Sequence, residues 1–160
     1  IKDNLYVLKG ISNPLFSDCI NPEELKCLLM KISEKYSNIV IDTQTVINKL
    51  ILDICRLASK IILVTDYTLE SISRIVNLYE LLTDKYLVDR EKINLIVNKK
   101  RFLDYFRIWI FSKFTNIPIR GFLSYDFNFN KAYFLTNNKK ILNTKLYKQL
   151  SKIIDGGLIG

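Results

Sequence analysis

KIILVTDYTLESISRIVNLYELLTDKYLVDREKINLIVN, residues 60–98, is the stretch on which the fold turns. Its first apolar run, Lys60–Thr65, has the length and β-branched content of a buried strand. Thr68 follows as a helix cap. Leu69, Ile72, Val76, Tyr79 and Leu82 then recur along one helical face. A second apolar run, Lys92–Asn98, reads as a strand that ends in a polar residue. Strand, helix and strand in this order imply a right-handed crossover between parallel strands covered on both faces.

The same alternation continues outward. Upstream, Asn38–Asp42 (NIVID) is an apolar run closed by a carboxylate, and residues 47–58 read as a helix. A helix start is marked at Asn21. Asn21 can cap, Pro22 takes the first helical position, and Glu23 and Glu24 meet the positive end of the dipole. Leu25, Leu28, Leu29 and Ile32 supply its apolar face. Asn4–Leu8 reads as a short strand, and residues 10–20 as a loop. Downstream, Phe102, Tyr105, Phe106, Trp109, Ile110 and Phe114 place an aromatic face on a helix over 102–114. Pro118–Leu123 is a last strand, and a short helix covers 128–136. Residues 143–154 form a helix with Leu146, Leu150, Ile153 and Ile154 inward. The pattern predicts one α/β domain over residues 1–160, with a mostly parallel sheet and helices on both faces.

Composition narrows the chemistry. The chain has 160 residues, 24 Lys+Arg against 16 Asp+Glu, no histidine and 3 cysteines. Without histidine, Ser-His-Asp triads, zincin helices and facial-triad iron are excluded. Cys19, Cys27 and Cys55 are an odd set with no C-x-x-C, which points to a reducing compartment and small buried thiols. The net charge of +8 favours anionic partners, although a lysine-rich codon bias gives the same balance. No apolar run is long enough to span a membrane, and no signal peptide opens the chain. The first residue is Ile1 and the one methionine is Met30, so the chain is expected to be part of a longer protein.

Ligands of open parallel sheets bind beyond the carboxyl ends of the strands. Here those ends are Asp42-Thr43, Thr65-Asp66, Asn98-Lys99-Lys100 and Ser124-Tyr125-Asp126. An apolar strand ending in Asp, as at Asp42, is the pattern by which phosphate-binding folds hold the water shell of Mg²⁺. A strand-end Asp capping the next helix is the plainer reading. Asn98 carries an amide able to read the N6/N7 edge of adenine, though Asn also suits a turn on its own merits. Lys99, Lys100 and Arg101 can meet phosphates or acidic lipid, or form a solvated rim, which is the commoner case.

In order, these segments resemble the C-terminal two thirds of the ParA/MinD group of deviant Walker ATPases. YSNIVIDTQT (36–45) resembles the family's Y-D-hydrophobic-D-T-P-P strand end. ASKIILVTDYTLESISRIVNLYELL (58–82) resembles the block that follows, and INLIVNKKR (93–101) the hydrophobic-V-N-R strand. IPIRGFLSYDFNFNKAYFLTNNKKIL (117–142) resembles the family's G-IP-D tail. Within the group the chain is most similar to the CpaE/TadZ pilus-assembly branch. Val46 stands where ParA and MinD proteins have a glycine near the γ-phosphate, Gln44-Thr45 replace the usual prolines, and Ser124 replaces a proline beside the base. The resemblance implies that Asp42 accompanies Mg²⁺, that Asn98 and Lys99 contact the base, and that Leu123, Ser124, Tyr125 and Asp126 surround the adenine.

The resemblance further implies ATP and Mg²⁺ as cofactors and a homodimer. It implies protein partners in a localisation or pilus/secretion system, in the cytoplasm, at the inner membrane face or at the cell pole. The family's phosphate loop has no counterpart here: the glycines are Gly10, Gly121, Gly156, Gly157 and Gly160, and no G-x-x-x-x-G-K-[ST] occurs. The expectation is that an upstream segment carries it, with ATP and Mg²⁺ bound only in its presence. The alternative is a nucleotide-relaxed scaffold for other proteins, and a third reading is a DNA-binding partition protein. Lys145, Lys148 and Lys152 lie opposite the apolar face of the last helix. That face is expected to pack on the sheet rather than on a membrane.

Overall fold

The computed structural model describes residues 5–10, 20–43, 47–100, 117–134 and 138–158. The predicted aromatic helix over 102–114, together with Asn4, Gln44-Thr45-Val46 and Arg101, lies outside them. Contacts group the chain into two compact units, Ile1–Ile54 and Cys55–Gly160.

In the first unit, α1 spans Pro22–Ser33. It starts as its sequence dictates. Asn21 Oδ1 accepts from the Glu23 N–H at 2.9 Å, Pro22 has no N–H that would need an acceptor, and Glu23 and Glu24 occupy the first turn. Among the described residues the two strands predicted here do not form. Leu5–Leu8 and Asn38–Asp42 join no ladder among the described residues. Val7 and Val40 are 74% and 79% exposed. An apolar run has strand propensity, but it becomes a strand only when a neighbour takes its N–H and C=O groups. Tyr6 and Tyr36 instead meet ring to ring at 5.1 Å. The helix α2 (Lys49–Leu57) follows with Leu52 buried. Asn48 Oδ1 accepts from the Ile51 N–H at its start.

The second unit holds a parallel sheet of three strands, β1 (Ile61–Thr65), β2 (Ile93–Lys100) and β3 (Ile119–Ser124), in the order β1-β2-β3. Helices flank it, which gives the α/β class the alternation predicts. β2 is central, and Ile93, Asn94, Leu95, Ile96 and Val97 are all buried, as expected of a strand covered on both faces. β1 differs from its reading as a fully buried strand. Ile61, Leu63 and Thr65 are buried while Ile62 and Val64 are 39% and 58% exposed. One face of β1 is therefore covered and the other is open.

Two helices fix the layers. α3 (Leu69–Glu80) is capped by Thr68, whose Oγ1 accepts from the Ser71 N–H at 3.2 Å. Its buried residues are Ile75 and Tyr79, continued by Leu82 in a π-helical turn over Leu81–Lys85. The predicted stripe is thus rotated toward Ile75, and Leu69 is 79% exposed. Side chains at the first helical position tilt toward the helix's open N-terminal end. α4 (Phe127–Phe134), a short α5 (Asn138–Leu142) and α6 (Lys145–Ile153) complete the unit. α6 packs on the sheet as expected, with Leu146 and Ile153 against Ile96 and Leu123. Its inward face differs in one position, because Leu150 is 37% exposed and Gln149 turns to β3. Of the thiols expected to be buried, Cys27 is exposed and Cys55 half-buried, both free. Burial pushes the Cys55 thiol up.

β3 and β2 run in register with two slips. Leu95 pairs with Ile119 but Ile96 with Gly121, so Arg120 is an extra residue on β3. Val97 pairs with Phe122 and Lys100 with Ser124, so β2 carries the extra residue there. The slips cancel, and the two strands end level. Lys99 sits in the second slip at φ +58°.

Candidate functional site

The carboxyl ends of β1, β2 and β3 form one rim, because the strands are parallel and paired through to Thr65–Val97 and Lys100–Ser124. This rim gathers Asp66, Asn98, Lys99 and residues 123–126. Asp42 belongs to the first unit, where it is exposed and follows no strand. Val46 and Arg101 lie outside the described residues.

At the end of β1, Asp66 is held by the start of α3. Its Oδ1 accepts from the Thr68 N–H at 3.1 Å and from the Thr68 hydroxyl at 2.9 Å. Hydrogen bonds from the Ser71 side chain and from Thr68, with the charge of Lys99, keep its carboxyl below the usual range. At the end of β2, the Asn98 side chain folds onto its own backbone, and Oδ1 accepts from the Lys99 N–H at 2.8 Å. That bond supports the left-handed conformation of Lys99, which costs a non-glycine residue about 1 kcal/mol. The amino group of Asn98 remains as a donor at a partly exposed position.

At the end of β3, the segment is anchored from behind. Leu123 is 8% exposed and part of the core. The Ser124 N–H donates to Gln149 Oε1 at 2.9 Å, and Gln149 Nε2 donates to Ser124 Oγ at 3.1 Å. Tyr125 is 54% exposed. Asp126 bridges two helix starts. Oδ1 accepts from the N–H groups of Asn128 and Phe129, and Oδ2 from that of Leu146. The Leu146 N–H, then those of Phe129, Asn128 and Lys145, hold this carboxyl below the ordinary value, against a smaller opposing effect of burial.

Gln149 is the residue that sequence reasoning missed. Its signal was present: it stands three residues after Leu146 and four before Ile153, on the apolar stripe itself, where a polar side chain needs a partner. Two cavities open around α6. One of about 420 Å³ is lined by Asn143, Lys145, Lys148, Gln149 and Lys152. Another of about 410 Å³ is lined by residues of α4, α5 and α6, among them Asp126, Lys131, Lys140 and Lys145. Among the described residues no group of three or more His, Cys, Asp or Glu side chains gathers at one place. No described helix is long and apolar enough to cross a membrane.

Parallel strands flanked by helices, with polar strand ends on one rim, define an αβα fold. The crystal structure of a ParA family ATPase from Chlorobium tepidum TLS is similar, with a TM-score of 0.77 and 19% sequence identity over 93% of this chain. At that identity the likeness is one of fold. The chain spans 62% of that protein's length. No protein-family model and no curated sequence matches it.

Proposed function

We propose that this chain is the C-terminal portion of a ParA-type ATPase of the CpaE/TadZ kind, which binds ATP with Mg²⁺, dimerises, and positions or recruits a cellular machine. What carries the reading is the rim: Asn98, Lys99 and the 123–126 segment stand together beyond parallel strand ends, on a fold similar to a ParA family ATPase. In this reading the Asn98 amino group and the exposed Tyr125 meet the base. Gln149 and Asp126 act as positioning residues that hold Ser124 and the turn after it. Asp42 organises the water shell of Mg²⁺, for which one carboxylate suffices on its side.

These residues fit the base side of a nucleotide. They contain no nest of N–H groups for the β- and γ-phosphates, so phosphate binding and any slow hydrolysis require a loop from elsewhere in such a protein. The second reading is a scaffold that keeps the fold and relaxes the nucleotide chemistry. It is favoured by one observation, that both oxygens of Asp126 already serve helix starts. Both readings place the protein in the cytoplasm, at the inner membrane face or at a cell pole.

Titration of the complete protein with ATP and Mg²⁺, with mass followed by light scattering, separates them. Under the ATPase reading the mass doubles with saturating nucleotide, and N98A weakens the response by roughly tenfold, about the loss of one buried hydrogen bond. A constant mass with no heat of binding supports the scaffold.

A further inference from the structure

Burial in α4 is inverted. Its buried residue is Ala132, while Phe127 and Phe134 are 68% and 84% exposed. Positions 127, 131 and 134 follow one another at i, i+4 and i+7, so Phe127, Lys131 and Phe134 share the outward face. Tyr133 is 65% exposed beside them, and Leu142 of α5 is 50% exposed. Large apolar side chains set outward together mark a binding surface rather than a core.

The charge around this face selects its partner. Between Asp126 and Asp155 the chain has no carboxylate side chain, and its cations there are Lys131, Lys139, Lys140, Lys145, Lys148 and Lys152. Six like charges oppose docking of a second copy and favour an anionic surface. All six are lysines and none is arginine. Arginine's planar fork is suited to bidentate pairing with the carboxylates of a protein partner, whereas lysine is a point charge on a long stem. Base stacking is disfavoured because the rings are already engaged with one another. Phe129 and Tyr133 lie 6.3 Å apart at 14°, and Tyr133 and Phe134 meet edge-on at 6.4 Å. The cavity of about 410 Å³ at the α4–α5–α6 junction is large enough for a phosphate headgroup, and its lining sets Lys131, Lys140 and Lys145 against one carboxylate, Asp126, whose oxygens already accept from helix N–H groups.

We infer that the outward face of α4, flanked by the lysines of α5 and α6, docks on an anionic phospholipid surface, with Phe127 and Phe134 entering the headgroup layer. The apolar face of α6 takes no part, since it is packed on the sheet. The inference is independent of nucleotide and goes beyond the ATPase reading; a nucleotide titration leaves it untouched.

The test is co-sedimentation of the 160-residue chain with vesicles of phosphatidylglycerol and phosphatidylcholine in equal parts, against vesicles of phosphatidylcholine alone. Binding to the anionic vesicles is expected to be at least about tenfold tighter and to fall as salt shortens the screening length. F127S/F134S is expected to weaken it by roughly tenfold or more, from the loss of two buried phenyl rings, with circular dichroism unchanged. K139E/K140E should weaken it comparably. Phe134→Trp provides a second readout, an emission blue shift with anionic vesicles beyond that of the parent chain. Failure to sediment with phosphatidylglycerol, or equal binding by F127S/F134S, overturns the inference. So does binding of duplex DNA in place of vesicles, which would make the lysines a nucleic-acid surface.

Discussion

Asp126 Oδ2 accepts a hydrogen bond from the Leu146 N–H at 3.0 Å while Oδ1 serves the first turn of α4. One carboxylate thus ties the turn after β3 to the start of the helix that packs on β3. It couples the rim to the scaffold through two helix N-termini, where a negative charge is favoured.

Removing that carboxylate should loosen both starts together. D126A is expected to cost about 1–2 kcal/mol, the range for a lost cap, read as a lowered midpoint in urea unfolding. D126N keeps an acceptor and should cost less.

The same carboxylate predicts an acid limit. Asp126 and Asp66 both have carboxyls held below the ordinary value when folded. Their contribution is fully present above the unfolded value, about 3.9, and is lost as pH falls through the lower folded values. Stability of the parent chain should therefore decline below about pH 4 more steeply than that of D126N, measured as urea midpoint against pH.

Gly121 marks the closest approach of α6. A methyl at its Cα would overlap Ile153 Cδ1 and stand 2.6 Å from Ile153 Cγ1. G121A should destabilise by about 1–3 kcal/mol through overpacking, and I153V in the same chain should recover part of it. Additive losses in the double variant would exclude this contact as the cause.

Lys99 separates stability from binding. At φ +58° glycine is the easier residue, so K99G should be neutral or stabilise by up to about 1 kcal/mol. Under the ATPase reading the same change lowers nucleotide affinity of the complete protein. Thermal melting and calorimetric titration should then move in opposite directions.

The sheet was legible because its signals are local. Lys60–Thr65 and Lys92–Asn98 are apolar without interruption, and Asn21-Pro22 and Thr68 announce their helices by cap chemistry that acts within three residues. What failed depends on partners. NIVID has the composition of a strand, but ladder hydrogen bonds need a neighbour that composition does not name. Leu69 and Leu150 fit a helical stripe by spacing, yet which side of the stripe turns inward is decided by packing. Among the rim residues, Asn98, Lys99 and the 123–126 segment come together because parallel strands end level. The use of Ser124 and Asp126 was hidden, since it depends on Gln149, 25 residues downstream of Ser124, and on the Leu146 N–H at the start of α6, 20 residues downstream of Asp126.

The cancelling slips of β2 and β3 bear on how this sheet tolerates change in chain length. Deleting Arg120 alone would remove its bulge and leave Ile96 opposite Gly121 and Val97 opposite Phe122, so Leu123 keeps its place in the core and Ser124 its place beside Gln149; what is lost is the hydrogen bond that Arg120 Nε donates to Asn94 Oδ1. Deleting one residue of the Asn98–Lys99 bulge would likewise leave Val97 opposite Phe122 and Lys100 opposite Ser124. A library of single deletions in these two strands should therefore keep both the core and the Ser124–Gln149 clasp only where the deletion removes the extra residue of a bulge, and lose them where it falls at a paired position.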